Sequence, residues 1–175
     1  MRLIKIAFLL IILSSCSQPT QNKAQAKAYF DLKGYFEKEA DRLDKLGLKI
    51  DKSVSINGIE EHKLIKVEDF NKELNSFITL DINKASWRDA FKVKKENNLL
   101  MYTTDNEKIP VKKVEIQYQN NKVSSIYIVT EVDNILYHST DTLSYRSNQF
   151  YEIKKTQKIK LLREKKYTII GKFPI

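Results

Sequence analysis

The chain has 175 residues, with 31 lysines and arginines against 22 aspartates and glutamates, a net charge of +9 and a 42% share of apolar residues. That length and apolar content suffice for one domain with a true hydrophobic core. Cys16 is the single cysteine, which excludes an intrachain disulfide framework, a Cys-x-x-Cys redox motif and a thiolate metal cluster. The Gly-rich phosphate loop, the HExxH helix and the nucleophile elbow are also missing from a sequence with only four glycines, so no enzyme class is indicated.

Arg2 and Lys5 precede and begin an apolar stretch that is unbroken from Ile6 to Leu13, and Leu13-Ser14-Ser15-Cys16 closes it with small residues before the cysteine. The run falls short of the roughly 20 residues of a permanent membrane span, so it reads as an export signal. These residues resemble the bacterial lipoprotein signal and its lipobox. The resemblance implies a signal peptide over residues 1–15, cleavage before Cys16, and a covalent diacylglycerol and N-acyl lipid on Cys16, with no other cofactor. Each methylene of such chains contributes about 0.8 kcal/mol when buried in a leaflet, which ties the domain to a membrane without crossing it. The polar run 16–23, containing Pro19, reads as the lipidated tether, and the absence of Asp and Glu over 17–25 implies the periplasmic face of the outer membrane. Cleavage would remove Arg2 and Lys5 and lower the net charge from +9 to +7. Nucleic acid is the usual reading of a basic chain, but export excludes it. The densest basic block, Lys154 to Lys166, reads as lysines blunting a strand edge or as a surface for anionic headgroups.

Residues 24–175 are expected to form a single α+β domain. Tyr29, Leu32, Phe36, Ala40 and Leu43 recur at three- and four-residue steps, predicting a helix over about 24–46 that Gly47 ends. Leu48, Ile50, Val54 and Ile56 then alternate with polar residues up to Asn57-Gly58, and Ile59 to Lys66 follows. Asn-Gly between such runs predicts a β-hairpin with a type I′ turn. His62 reads as a solvent-side residue, since no second ligand lies at metal-binding spacing. Val67, Phe70, Leu74, Phe77 and Ile78 predict a second helix to about Leu80. Ser86, followed three residues later by Asp89, predicts the cap of a third, short helix, with Trp87 packing towards Phe91.

From Leu99 onward turn signals at Asp105-Asn106, Asn120-Asn121, Asp133-Asn134, Ser147-Asn148 and Glu164-Lys165 divide alternating strands. Short turns force antiparallel neighbours, so this half is expected to be a β-meander forming a curved sheet or a half-barrel. Val123 to Val132 is apolar on both parities, predicting a central strand covered on both sides. The shape is open between two alternatives that match known folds in element order alone. One is a cystatin-like or nuclear-transport-factor-like roll around the first helix; the other is a half-barrel with helices across its mouth, similar to the periplasmic lipoprotein carriers.

Tyr118, Tyr127, Tyr137, Tyr145, Tyr151 and Tyr167 fall on inward parities. Cross-strand aromatic packing accounts for them at about 0.2 to 1 kcal/mol per pair, and they are also the candidate lining of an apolar-ligand cavity. His138, Ser139 and Asp141 spell a relay, but neighbours on a strand alternate faces, so no catalytic residue is assigned. The sequence therefore points to a non-enzymatic envelope lipoprotein acting as a protein-interaction or scaffolding module, with an envelope protein as partner. The alternative is a periplasmic binder or carrier of lipid or another apolar ligand. The lipobox, the Lys/Asn/Ile-rich composition and the Tyr-Xaa-Ile-Xaa-Gly-Lys stretch at Tyr167 to Lys172 resemble small Bacteroidota-like outer-membrane lipoproteins, a likeness that implies no activity.

Overall fold

The computed structural model describes residues 28–174. The signal segment 1–15, Cys16 with its tether, and the first residues of the expected helix lie outside that range. Helix α1 (Leu32–Leu46) begins at Asp31, whose carboxylate accepts the Gly34 N–H at 2.9 Å. It ends at Gly47, which adopts φ 58° and donates its N–H to the Asp44 carbonyl. Gly34 suits this start, because a Cβ there would lie 2.3 Å from Asp31 Oδ2. Leu32, Phe36, Ala40 and Leu43 form the buried stripe. Tyr29 is also buried, but it precedes the helix rather than belonging to it.

The hairpin forms as its sequence requires: β1 (Lys49–Ile56) and β2 (Ile59–Lys66) pair antiparallel through Asn57-Gly58, both at positive φ. The expected second helix is instead two short turns, α2 (Phe70–Glu73) and α3 (Asn75–Ile78). Leu74 breaks them at φ −93° and ψ 9°. Phe70, Leu74 and Phe77 are buried all the same, so the helical spacing reflects a shared core face. Asn75 and Ser76 favour turns over helix interiors, which explains the break. The expected third helix is corrected as well. Only a single 3₁₀ turn, Ala85–Trp87, forms there, with Ser86 inside it and no side-chain cap. Trp87 does meet Phe91 edge-on at 6.4 Å, and Lys84 lies over its ring at 4.3 Å.

Seven strands follow: β3 (Lys92–Glu96), β4 (Leu99–Thr103), β5 (Val111–Gln119), β6 (Lys122–Asp133), β7 (Tyr137–Arg146), β8 (Phe150–Ile159) and β9 (Lys165–Lys172). The nine strands of the described residues make one open antiparallel sheet in the order β2-β1-β9-β8-β7-β6-β5-β4-β3. The N-terminal hairpin thus extends the meander past its last strand, Ile56 pairing with Tyr167 and Asp51 with Lys172.

One face of the sheet carries the helices. Two rows of that face run side by side across the strands. The first contains Gly171, Tyr151, Tyr145, Ile126 and Ile116, and the second contains Ile169, Ile153, Leu143, Ile128 and Val114. Phe36 and Phe77 lie against Tyr145 at ring distances of 5.3 and 6.3 Å. Each buried residue of this size contributes about 1.5–3 kcal/mol, so these rows and the α1 stripe form the centre of the core. The opposite face carries Glu115, Tyr127, Ser144, Glu152 and Thr142 and no described element covers it. β6 is therefore an interior strand covered on one side only: Ile126 and Ile128 are buried, while Tyr127 and Val129 are half-exposed.

Candidate functional site

Along the helix-bearing face a third row follows the two apolar ones and changes character: Tyr167, Lys155, Asp141, Thr130 and Val111. Thr130 and Val111 at one end of the row are buried, whereas Asp141, Lys155 and Tyr167 at the other are only partly covered. A cleft of about 480 Å³ opens there, with Leu143, Ile153 and Ile169 as apolar floor and Ser76, Thr79 and Leu80 of the α3 region along one side. Lys155, Asp141, Gln157 and Thr130 supply the polar side of the same cleft.

These polar groups are held by neighbours on the sheet. Lys155 Nζ lies 3.1 Å from Asp141 Oδ2 across the β7–β8 pairing. Ser139, one inward position further along β7 and buried, donates its hydroxyl to Asp141 Oδ1 at 2.7 Å. Gln157 Nε2 donates to the Tyr137 hydroxyl at 2.9 Å. The result is a cleft with a cation, an anion and an amide at one end of an aliphatic floor. That arrangement can orient a ligand with a polar head and an apolar body, and its volume falls within the range of small-molecule sites.

Two further polar links join the helices to the sheet within the core. Tyr145 donates its hydroxyl to Glu39 of α1, and Arg42 grips the same carboxylate with Nε at 2.9 Å and Nη2 at 2.6 Å. Tyr151 donates to Glu73 of α2, whose carboxylate also meets Lys52 Nζ at 2.5 Å. Burial raises the Glu39 pKa, but the hydrogen bonds from Arg42 and Tyr145 outweigh it and hold the carboxyl below its ordinary value. Burial, followed by the adjacent carboxylates, pushes Tyr145, Tyr151 and Tyr35 well above the ordinary phenol value.

The six tyrosines singled out by parity have different surroundings. Tyr145 and Tyr151 are buried in the core, Tyr118 is half-buried against it, and Tyr137 binds Gln157. Tyr167 alone of the six lines the cleft. Tyr127 is on the opposite face, with Lys113 Nζ 5.9 Å above its ring; the bulge of β5 and the apolar character of both parities of β6 concealed its direction. His138 also faces away from Ser139 and Asp141, with its Nδ1 3.6 Å from Asp133 Oδ1 and its Nε2 3.4 Å from the Thr140 hydroxyl. His62 is exposed beside Glu60 at 3.2 Å. Among the described residues no group of three His, Cys, Asp or Glu side chains could hold a metal ion, and no helix is long and apolar enough to cross a membrane.

Sequence reasoning placed Asp141 in a rejected relay and Lys155 in the basic block, passed over Gln157, and saw none of the three as lining a cleft. Their signal was present in the parity: on β7 the inward positions run Tyr145, Leu143, Asp141, Ser139, and on β8 Tyr151, Ile153, Lys155, Gln157. Both strands change from apolar to polar at the same row. No protein-family model, curated protein or solved structure matches the chain.

Proposed function

We propose that this chain is a membrane-tethered, non-enzymatic binding protein of the cell envelope, anchored by lipid on Cys16 at the periplasmic face of the outer membrane, whose cleft takes a small amphipathic ligand. The observation that carries the reading is the change of the helix-bearing face from apolar to polar at the Asp141–Lys155 row, beside an aliphatic floor in which Leu143 is buried but Ile153 and Ile169 are only partly covered. A sheet needing only a core would continue the apolar pattern under a longer helix, or leave the row fully solvated. The chemistry is binding: the Ser139 hydroxyl is committed to Asp141 and has no imidazole on its side of the sheet. The test is native mass spectrometry of the protein extracted and held without detergent. A co-purifying mass that is lost on denaturation, and reduced in Lys155→Glu, supports the cleft; a bare protein mass in both rejects it.

A second reading, docking of a partner protein, is favoured by β2. This eight-residue edge strand has no neighbour on its outer side among the described residues, and Ile59 and Leu64 are exposed along it. An edge of that kind can take a partner strand by main-chain pairing. A photoreactive side chain at Lys63 should then capture one recurring envelope protein in cells, and labelling of no protein above background removes this reading.

A further inference from the structure

The two ends of the sheet differ in their turns. At one end lie the β3–β4, β5–β6 and β7–β8 turns, built on Asn97-Asn98, Asn120-Asn121 and Ser147-Asn148. At the other end lie the β1–β2, β8–β9 and β6–β7 turns, which are successive along the sheet order. These carry aliphatic side chains into solvent: Leu161 is 97% exposed, Ile135 87% and Ile59 78%, with Leu136 and Leu162 beside them. The β6–β7 and β8–β9 turns are tied together, the Lys160 N–H donating to the Leu136 carbonyl at 2.9 Å. Similarly, the β1–β2 turn is tied to the start of β9, the Asn57 N–H donating to the Lys166 carbonyl at 2.9 Å. Neighbouring hairpins in a sheet are about 10 Å apart, so the three tips form one line.

Leu161 stands out further. Among the described residues seven other than glycine have positive φ, and the six besides Leu161 are Asn or Asp, the residue types that tolerate it. Leu161 holds φ 72° while its side chain contacts almost nothing. Neither turn geometry nor packing selects leucine there. An apolar environment outside the protein would.

The charge around the tips says which environment. The β8–β9 turn and its flanks, residues 158–166, carry Lys158, Lys160, Arg163, Lys165 and Lys166 against Glu164 alone. The two flanking tips carry acids of their own, Glu60 and Glu61 after Ile59 and Asp133 before Ile135, with Asp105, Glu107 and Glu131 around Lys112 beyond them, so the cations are concentrated on the middle tip. A middle tip ringed by cations, with an aliphatic tip on either side, complements an anionic lipid bilayer: the side chains enter the acyl boundary and the cations of the β8–β9 turn meet headgroups. A second protein surface would need a concave apolar match to three separate projections, whereas a fluid leaflet adapts to them.

We infer that this end of the sheet, with Ile59, Ile135, Leu136, Leu161 and Leu162 as inserting tips, docks on an anionic bilayer and fixes the orientation of the domain at the membrane. The inference is independent of the cleft and of the lipid on Cys16. It is tested with the full chain carrying Cys16→Ser, so that a single introduced thiol bears an environment-sensitive fluorophore. One reporter is Leu162→Cys at the tips and the other is Ser147→Cys at the Asn-rich end, each bound to vesicles of mixed phosphatidylcholine and phosphatidylglycerol. The expected result is a blue shift at position 162, with quenching by spin-labelled acyl chains, and neither effect at 147. Charge reversal in Arg163→Glu, Lys165→Glu and Lys166→Glu together should reduce the inserted population by about fivefold for each cation removed, on the order of a hundredfold in all. No shift at 162, or equal shifts at 162 and 147, overturns the inference. A shift at 162 that grows with protein concentration in the absence of vesicles overturns it too, by assigning the tips to a second copy of the chain.

Discussion

Tyr145 on β7 gives its hydroxyl hydrogen to Glu39 on α1 at the centre of the core, so the helix is fastened to the sheet by a polar contact inside an aromatic cluster. Glu39 is buried, and its second tie, to Arg42, reaches on to Asn148 Oδ1 at 2.8 Å. Tyr145→Phe removes the phenolic donor while keeping the ring contacts with Phe36 and Phe77. Hydrogen bonds to charged groups contribute about 1.5–3 kcal/mol, and Arg42 still neutralises the carboxylate, so a loss of about 2 kcal/mol is expected in urea unfolding with an unchanged m-value. A loss below about 0.5 kcal/mol would show that the contact contributes nothing net.

The same cluster predicts instability at both extremes of pH. Glu39 has a folded pKa below its unfolded value of about 4.3. Its contribution is therefore full above that value and is lost as pH falls through the folded pKa. Tyr35, Tyr145 and Tyr151 have raised folded pKa values. They add stability that is complete below the ordinary phenol value of about 10 and is lost as pH rises above it. Thermal midpoints across pH should form a plateau that falls at both ends. Tyrosinate absorbance should rise together with alkaline unfolding rather than ahead of it for these three residues, and full titration of all tyrosines in a still-folded protein would contradict the assignment.

Glu73 links α2 to two strands, accepting from Tyr151 and pairing with Lys52. Since α2 is a single turn capped by Asp69, this carboxylate and Phe70 hold it in place. Glu73→Ala strips the partner from a buried phenol and from a mostly buried ammonium, at a cost of about 2–4 kcal/mol. A double-mutant cycle with Tyr151→Phe should return a coupling of about 0.5–3 kcal/mol; additive losses would mean the two side chains act independently.

Gly171 faces Tyr151 across the β8–β9 pairing, and a Cβ at 171 would fall 2.1 Å from Tyr151 Cε1. The ring lies across the strand where a side chain would otherwise be, and it is fully buried, so it has little room to move aside. Gly171→Ala should destabilise by about 1–3 kcal/mol through overpacking, against the usual gain from replacing a strand glycine. Adding Tyr151→Leu should recover part of the loss, and a stabilising Gly171→Ala on its own would refute this geometry.

Local chemistry accounts for what the sequence made legible. Asn57-Gly58 and Asn120-Asn121 turn the chain because their residues accept positive φ, and strands with a buried face must alternate. The pairing of β1 with β9 was not legible, since nothing local in Lys49 to Ile56 specifies a strand more than a hundred residues away. β3 was also missed: Lys92 to Glu96 has Val93 as its single apolar residue, and all five are exposed, so burial left no pattern in it. The tyrosines stand out in the sequence because they are large and regularly placed. Most are core or surface residues, whereas the cleft is marked by the polar residues that interrupt the inward rows.

Those interrupting residues give the most direct test of the cleft. Lys155 and Asp141 are 37% and 21% exposed at the side chain, a setting in which an ion pair contributes under about 1 kcal/mol. Lys155→Met keeps the length and apolar stem of the side chain and removes its charge, so the thermal midpoint should hardly move. Binding should respond differently. Anilinonaphthalene sulfonate, an anionic amphiphile of a size suited to the cleft, would place its rings on Leu143, Ile153 and Ile169 and its sulfonate near Lys155. Losing one charge-assisted hydrogen bond costs about 1.4 kcal/mol or more, so Lys155→Met should weaken binding about tenfold. Asp141→Asn, which removes the competing carboxylate, should strengthen it. Opposite effects from two stable variants would place the anion between α3 and β6–β9, whereas equal affinities in both variants and the parent would mean that the dye binds elsewhere, with the exposed aliphatic turns as the next site to mutate.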